Sequence, residues 1–357
     1  MFTIPRKNVY LVLTDLHYAY KKEHRKNYFS EVMNILVQLI SLADSYKNKG
    51  YHVYLIFAGD IIDGQLKKAD DAMRCLDVFK YVCSVFESVY TVLGNHEENN
   101  VESNPFWFMV ASLDDKSLNT IAKPLQPQAL FPLLTIPDKI VDGDTTIYFN
   151  HYGVPVKIPE KQTGKTAIGI FHQNVGSNDI CKMWGTFDDV EEASYVQNYD
   201  YLYFGHMHLA VGRYELNEAG TCIGEWLGTC VGTNVTEVET LPADLIVPAI
   251  KVEEGKFTSI DRRKIKRTPA SEAIDYDKLE LTKEIQKQKL AVKESLGHIV
   301  SGDTLFNRIK NAADQNGIGD IVDLLNTSYQ QIYHSYMSGL RGVLETVEIE
   351  EEESSDG

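Results

Sequence analysis

The sequence predicts an α/β fold in which helices cover the faces of a sheet. Two patterns in the first 95 residues support this prediction. Short apolar, β-rich runs alternate with longer segments in which apolar residues recur with a helical period. The runs lie at residues 9–14, 51–58 and 89–93, and the helical segments lie at about 28–49 and 68–86. Strands that alternate with helices in this order are typical of a sheet with helices on its faces.

The first helix has the clearest local signal. Val32, Ile35, Leu36 and Leu39 fall on one face of a helix, and Gly50 ends the periodic pattern. Further strand-like runs follow an irregular, proline-containing stretch at residues 100–140. They lie at 145–149, 167–171, 201–204, 211–216 and 221–227.

The chain divides by composition near residue 268, where it becomes polar and helical. We predict one domain over residues 1–268, a helical C-terminal segment over 269–344 and a disordered acidic tail over 345–357. The helical pattern of the C-terminal segment is clearest at 303–316 and 320–342. The tail carries six glutamates and one aspartate but no basic residue.

Charge and hydropathy exclude some classes of protein. The net charge of −16 argues against broad, non-specific binding of nucleic acid through a basic surface. No apolar stretch approaches about 18 residues, so we expect no membrane span. The N-terminal residues do not have the pattern of a signal peptide, so we expect a cytoplasmic protein. The five cysteines form no CxxC pair, and we expect them to be reduced thiols.

Residue types that bind metal ions recur where the apolar runs end. Ligands gather at the carboxyl ends of the strands in sheets of this class, so we expect these side chains to lie together. Each motif alone would also fit a turn or a helix cap, but five of them in one chain indicate a shared site. The motifs are Asp15-x-His17, Gly59-Asp60-x-x-Asp63-Gly64, Gly94-Asn95-His96-Glu97, His172 and Gly205-His206-x-His208.

The motif at residues 205–208 is the most informative. Side chains alternate along an extended backbone, so His206 and His208 point the same way. Gly205 permits another backbone to approach closely.

The chemistry of these ligands predicts the kind of metal. Carboxylate, amide and imidazole groups without a thiolate suit manganese, magnesium, iron or zinc. The candidate ligands are too many for one ion and fit two ions with a bridging carboxylate. Two ions about 3.5–4 Å apart can clamp both the attacking and the leaving oxygen when a phosphate ester is cleaved.

In this order, the motifs resemble those of the calcineurin-like metallophosphoesterase superfamily over residues 9–235. The resemblance implies a two-sheet sandwich flanked by helices, with a C-terminal helical segment. It implies that His96 donates to the scissile phosphate or the leaving oxygen and that Asp63 orients His96. The implied ligands of one metal are Asp15, His17, Asp60 and His208, and those of the other are Asp60, Asn95, His172 and His206. His151 competes with His172 for the fourth motif, and the His-Gln pair at 172–173 favours His172.

Within the superfamily, the chain is most similar to SbcD-type DNA repair and recombination nuclease subunits of the phage type. The likeness rests on residues 59–64 (GDIIDG), 170–173 (IFHQ) and 223–237 (IGEWLGTCVGTNVTE). It implies a manganese-dependent DNA exonuclease and endonuclease. It also implies a coiled-coil partner, an SbcC-like ABC-type ATPase bound by the C-terminal helices, and we keep a homodimer as a further expectation.

Two other functions remain open from the sequence. A metal-dependent phosphatase or small-molecule phosphodiesterase would use the same ligands, whereas a non-catalytic scaffold would not need the full set. Glu97 stands where the nucleases usually carry aspartate and where protein phosphatases of the superfamily carry glutamate. The basic run at residues 262–267 either contacts backbone phosphates or forms a solvated strand or linker, and we assign no nucleic-acid-binding residue.

Overall fold

In the computed structural model, the described residues are 6–19, 21–63, 69–98, 106, 109, 134–160, 162–175, 190–191, 196, 198–215 and 223–300. The chain divides into two compact units, residues 1–276 and 277–357. The division follows Tyr276, whereas composition places a boundary near residue 268. The predicted helical pattern at 303–342 and the acidic tail lie outside the described residues.

The first unit contains the strands and five short or medium helices of the described chain. The strands are β1 (Lys7–Leu13), β2 (His52–Ala58), β3 (Val89–Val92), β4 (Leu134–Thr135), β5 (Lys139–Asp142), β6 (Thr145–Asn150), β7 (Thr166–Phe171), β8 (Asn174–Val175), β9 (Val190–Glu191), β10 (Tyr201–Phe204), β11 (Gly212–Glu215), β12 (Ile223–Trp226), β13 (Asp244–Glu253) and β14 (Lys256–Lys266). The helices are α1 (Tyr28–Lys47), α2 (Ala69–Val85), α3 (Asn95–Glu98), α4 (Val235–Thr240) and α5 (Ala270–Ala273). A longer helix, α6 (Tyr276–Val300), begins at the last residue of this unit and ends within the second.

Helix α1 forms where the sequence predicts it. The side chain of Asn27 accepts a hydrogen bond from the backbone N–H of Ser30 and caps the first turn. The predicted apolar face is buried against the sheet, and each buried leucine or isoleucine side chain contributes about 1.5–3 kcal/mol. The chain leaves the helix through Gly50, which adopts the left-handed conformation with φ 81°.

The strands form two six-stranded sheets. The first sheet has the order β14-β13-β1-β2-β3-β4, in which β1 to β4 are parallel and β13 is antiparallel to β1. The second sheet has the order β11-β12-β10-β7-β6-β5, with a parallel centre formed by β12, β10, β7 and β6. Strands β8 and β9 form a separate parallel pair.

The core has layers that follow from the alternation of side chains along β1. Val9, Leu11 and Leu13 point to the face that α1 and α2 cover. Tyr10 and Val12 point to the other face, where they share an apolar cluster with residues of the second sheet such as Ile147 and Phe149. Two sheets that share one core, with helices outside, confirm the predicted α/β sandwich.

The hairpin of β13 and β14 was not predicted from the sequence. Pro248 interrupts the apolar pattern of β13, and a proline in a run argues against a central strand. Strand β13 nevertheless lies between β1 and β14. The basic run at residues 262–267 falls at the end of β14 and just beyond it, so it is mostly strand rather than linker. Among the described helices, none combines the length and apolar character needed to cross a bilayer.

Candidate metal centre

The predicted ligands lie at the carboxyl ends of parallel strands from both sheets. Asp15 follows β1, Asp60 follows β2, and Asn95 follows β3. His172 follows β7, and the 205–208 motif follows β10. Backbone hydrogen bonds fix these ends to one another, from Asp15 N to Gly59 O at 3.1 Å and from Gly205 N to Phe171 O at 2.9 Å. The geometry of the two sheets therefore brings five segments that are distant in sequence to one point.

One group of ligands surrounds His17. One ligand atom from each of Asp15, His17, Asp60 and His208 lies within 4.8 Å of the others. The Nε2 atom of His17 is 3.7 Å from Asp15 Oδ1, 3.8 Å from Asp60 Oδ2 and 2.8 Å from His208 Nε2. The three residues Asp15, His17 and Asp60 are buried.

A second group shares Asp60 with the first. Ligand atoms of Asp60, His172 and His206 also lie within 4.8 Å of one another. The Oδ2 atom of Asp60 is 3.2 Å from His172 Nε2. The Oδ1 atom of Asn95 lies 3.3 Å from His172 Nε2 and 3.1 Å from His206 Nδ1. Asp60 is thus placed between two ligand groups, as the bridging carboxylate of a two-metal site would be.

Hydrogen bonds orient two of the imidazoles. His172 Nδ1 donates to the backbone oxygen of Ala58 at 2.6 Å, which leaves Nε2 to face Asp60. His208 Nδ1 donates to Glu237 Oε1 at 3.1 Å, which leaves Nε2 to face Asp15. A partner on the far nitrogen is the usual way in which a protein fixes a histidine for metal binding.

The backbone at this site is strained. Asp15, His17, Asp60 and His206 have φ angles of 47°, 46°, 49° and 72°, in the left-handed region that residues other than glycine seldom adopt. Such strain persists only where the surrounding structure fixes it, and it is frequent at functional sites.

Glycine is required where the ligand segments meet. A Cβ atom on Gly94 would lie 2.1 Å from Asp60 Oδ1, and one on Gly205 would lie 2.5 Å from the backbone oxygen of Ala58. The close approach predicted for Gly205 is confirmed.

At this site, ionised carboxylates lie directly beside protonated imidazoles. Burial opposes the charge of Asp60, but the charge of His172, its hydrogen bond to Asp60 and the charge of His17 together outweigh burial and lower the pKa of Asp60 to about 2. Burial likewise opposes the charge of Asp15, yet neighbouring imidazoles, His172 first, hold its pKa well below the usual range. In return, Asp60 and Asp15 overcome burial and raise the pKa of His172 to about 10. These carboxylates therefore remain ionised and require positive charge beside them.

His206 and His96 differ from the charged imidazoles. Burial and the neighbouring charge of His172 lower the pKa of His206 to about 4, so this ring is neutral at pH 7. Burial also lowers the pKa of His96. The backbone N–H of His96 donates to Asp60 Oδ1 at 3.0 Å, and its ring meets the ring of His17 edge to face at 4.8 Å between centroids. His96 therefore lies beside the ligands, and its role toward a substrate stays a prediction.

Asp63 has a partner that the sequence did not predict. It is buried, and its carboxylate forms an ion pair with the ammonium group of Lys22. Its charge also favours the protonated form of His96, although burial has the larger effect on that pKa. The proposed role of Asp63 in orienting His96 stays a prediction.

Two further acidic residues support the site, and the sequence had assigned neither of them a role. Glu97 is fully buried, and its carboxylate accepts hydrogen bonds from the backbone N–H groups of Asp60 at 2.9 Å, Ile61 at 2.8 Å and Gly94 at 2.8 Å. Glu97 thus ties the second motif to the third. Glu237 contacts His208, and the capping-box pattern Asn234-x-x-Glu237 was a signal for its position at the start of α4.

His151 lies behind the ligands rather than among them. Its Nδ1 atom accepts a hydrogen bond from the backbone N–H of Leu93 at 3.0 Å, where β3 leads into Gly94. The side chain of Gln173 donates to the backbone oxygens of His151 at 2.7 Å and Val154 at 2.6 Å. His172 rather than His151 thus lies among the candidate ligand atoms, and its assignment to the fourth motif stays a prediction.

The residues fit two divalent cations. Their donor atoms are carboxylate, amide and imidazole groups, which suit borderline or hard metals. The Nε2 atoms of His17 and His208 lie 2.8 Å apart and both face Asp15, and a cation held by both nitrogens would stabilise this arrangement. Both ligand groups and their shared Asp60 thus have the composition of a two-metal centre.

Comparison with solved structures finds distant likenesses. A dimetal phosphatase from Danio rerio is 14% identical, with a TM-score of 0.37, and the match covers 73% of this chain and 99% of that one. A 5'-nucleotidase precursor from Thermus thermophilus is 12% identical, with a TM-score of 0.36, and the match covers 80% of this chain and 59% of that one. A purple acid phosphatase from yellow lupin is 14% identical, with a TM-score of 0.39, and the match covers 72% of this chain and 51% of that one. The chain thus spans only about half to three-fifths of the length of the last two.

Comparison by sequence is more informative. No curated protein matches the chain significantly. The family model described as calcineurin-like phosphoesterase matches residues 9–210, which include all the predicted ligands. Because this match covers more than half of the chain, the protein belongs to the calcineurin-like phosphoesterase family.

Proposed function

We propose that the protein hydrolyses phosphoesters at two divalent cations held by the two ligand groups. The observation that carries the proposal is the position of Asp60, whose carboxylate belongs to both groups. Manganese is the metal we expect, and magnesium, iron or zinc would suit the same donors. When bound, the ions would supply positive charge for the phosphoryl oxygens and an activated water.

Side chains of the protein would hold the two ions, donate to the leaving oxygen and orient the donor. Asp15, His17 and His208 would hold one ion, and Asn95, His172 and His206 the other. His96, beside the ligands, would donate a proton or a hydrogen bond to the leaving oxygen. Asp63 would orient His96 and would itself be held by Lys22.

The test is hydrolysis by the purified full-length protein with Mn²⁺. We expect turnover of a chromogenic phosphomonoester or phosphodiester. His96→Ala should retain both ions and lose turnover, whereas Asp60→Ala should lose metal and turnover together. His52→Ala is the matched control, because His52 is exposed on β2 and contacts Glu87 away from the site. Wild-type turnover in Asp60→Ala would refute the proposal.

The charges on the basic run favour a small phosphoester as the substrate. Arg262 Nη2 lies 2.5 Å from Glu225 Oε1, and Lys264 Nζ lies 3.0 Å from Asp244 Oδ2. Lys266 also pairs with Asp244, and Arg267 donates to backbone carbonyl oxygens. A groove for a nucleic-acid backbone needs a positively charged surface, whereas the chain has a net charge of −16 and carboxylates neutralise part of this run. We therefore propose a phosphatase or small-molecule phosphodiesterase first.

A DNA nuclease subunit is the second candidate. Helix α6 is 25 residues long and exposes Leu281, Ile285 and Leu290 to 58%, 41% and 58%. A polar helix with exposed apolar side chains is compatible with the proposed docking of an SbcC-like ATPase. Linear, hairpin and single-stranded DNA in the same assay separate the candidates. Cleavage of DNA that His96→Ala abolishes supports the nuclease, and turnover of the monoester alone excludes it.

A further inference from the structure

We infer that Glu237 is a positioning residue that supports one of the two metal sites and not the other. The inference rests on the proposed two-metal function. Glu237 lies on α4, outside the five motifs, and its side chain is only 11% exposed.

The contact between Glu237 and His208 determines which nitrogen of His208 is available. His208 Nδ1 donates to Glu237 Oε1 at 3.1 Å. When Nε2 loses its proton to bind an ion, the remaining proton is on Nδ1, so the lone pair on Nε2 faces the ligand group, with Asp15 Oδ1 at 3.4 Å and His17 Nε2 at 2.8 Å. A carboxylate behind a histidine ligand fixes its tautomer and increases its basicity.

The carboxylate of Glu237 is itself held at both oxygens. Oε2 accepts from the backbone N–H of Thr233 at 2.6 Å and from its hydroxyl group at 2.9 Å. Oε1 accepts from the side-chain amide of Asn234 at 2.8 Å as well as from His208. The donors around residue 237 therefore require a hydrogen-bond acceptor at both terminal atoms of its side chain. Glutamine offers an acceptor at one end and a donor at the other, so it cannot satisfy Thr233 and His208 together.

The segment that carries Glu237 also holds a second ligand of the same group. The hydroxyl group of Thr229 donates to the backbone oxygen of Asp15 at 2.8 Å, and the backbone N–H of Cys230 donates to the same oxygen at 3.1 Å. The backbone N–H of Thr229 donates to the backbone oxygen of His208 at 3.1 Å. Residues 229–237 thus support Asp15 and His208 together.

His172 and the segment that carries Asn95, in the second ligand group, are held by different elements. His172 is oriented by the backbone oxygen of Ala58 at the end of β2. The carboxylate of Glu97 fixes the backbone at Asp60 and at Gly94, next to Asn95. Loss of Glu237 should therefore weaken the ion held by Asp15, His17 and His208 and leave the ion at His172 and His206 in place.

The test is calorimetric titration of the metal-free, full-length protein with Mn²⁺. We expect two binding events in the wild type. In Glu237→Gln, one event should weaken by about 10- to 100-fold and the other should keep its affinity. Glu239→Gln is the matched control, because it removes a carboxylate from the same helix. The carboxylate of Glu239 accepts a hydrogen bond from the hydroxyl group of Tyr276 and not from a ligand. Thermal unfolding of each variant, measured without metal, separates positioning from folding.

Two results would overturn the inference. One is wild-type affinity for both ions in Glu237→Gln. The other is an equal loss at both sites together with a lower unfolding temperature, which would assign Glu237 a general structural role. Because metal binding is measured without substrate, a wild type that binds two ions and hydrolyses no ester would refute the proposed function alone.

Discussion

The approach of two strand ends at Gly205 gives a prediction whose size follows from interatomic distances in the structure. A Cβ atom at this position would lie 2.1 Å from Thr14 Oγ1, 2.5 Å from Ala58 O and 2.8 Å from Asp15 Oδ2. The hydroxyl group of Thr14 can rotate, but the oxygen of Ala58 is backbone. An ordinary contact begins at 3.4 Å, so Gly205→Ala requires the ends of β10 and β2 to separate by roughly 0.9 Å, the difference between 3.4 Å and 2.5 Å.

That displacement should affect function more than folding. Overpacking of this kind costs about 1–3 kcal/mol of stability. For a domain of this size, each kcal/mol corresponds to about 2–4 °C in unfolding temperature, so we expect a decrease of about 2–12 °C. His206 and Asp60 sit at the two ends that separate. Misplacement by about 1 Å in an active site lowers the rate by about 100-fold, and we expect a loss of that order.

The assay combines scanning calorimetry, Mn²⁺ titration and turnover of the chromogenic ester. Gly50→Ala is the matched control, because Gly50 has φ 81° and no atom within 4 Å of the added Cβ. It should cost about 1–2 kcal/mol through backbone strain and leave turnover unchanged. If Gly205→Ala binds both ions with wild-type affinity and retains turnover, the close approach does not set the geometry of the ligands.

Three further outcomes are expected. Metal binding should release protons at pH 7, because the pKa values of His172 and His208 are raised to about 10 and a ligand must be deprotonated. Affinity should therefore increase with pH towards 10, and titration in two buffers of different ionisation enthalpy counts the protons. Arg267→Ala should lower the free energy of unfolding by about 2–4 kcal/mol, because the backbone oxygens of Thr229, Cys230 and Pro242 lose a donor. Urea denaturation measures this free energy. As a control, substitution of the exposed Arg263 by alanine should change the free energy of unfolding by less than about 0.5 kcal/mol. Glu97→Gln should weaken metal binding, since an amide cannot accept at both oxygens from Asp60, Ile61 and Gly94; unchanged Mn²⁺ affinity would show that the link between the two motifs is dispensable.

The alternation of strands and helices was predictable because each element carries its own signal. The periodicity of residues 28–49 and the run at 51–58 depend only on neighbours in the chain. Strands β13 and β14 had no such clear signal, since Pro248 interrupts one apolar run and the charged run at 262–267 fits a linker as well as a solvated strand. The pairing of β13 with β1 and of β14 with β13 compensates for a weak local preference, because burial and cross-strand contacts decide whether such a segment is a strand.

The sequence by itself determined the chemical identity of the site. Aspartate, asparagine and histidine at the ends of apolar runs are the ligands of hard or borderline cations, and strands in parallel must bring such ends to one edge. Only the tertiary structure decided which atoms face each other. It placed Asp60 between the two groups, His151 behind them and Glu237 against His208. The physical reason is that hydrogen bonds between residues far apart in the chain depend on how the two sheets pack, and no local pattern records that packing.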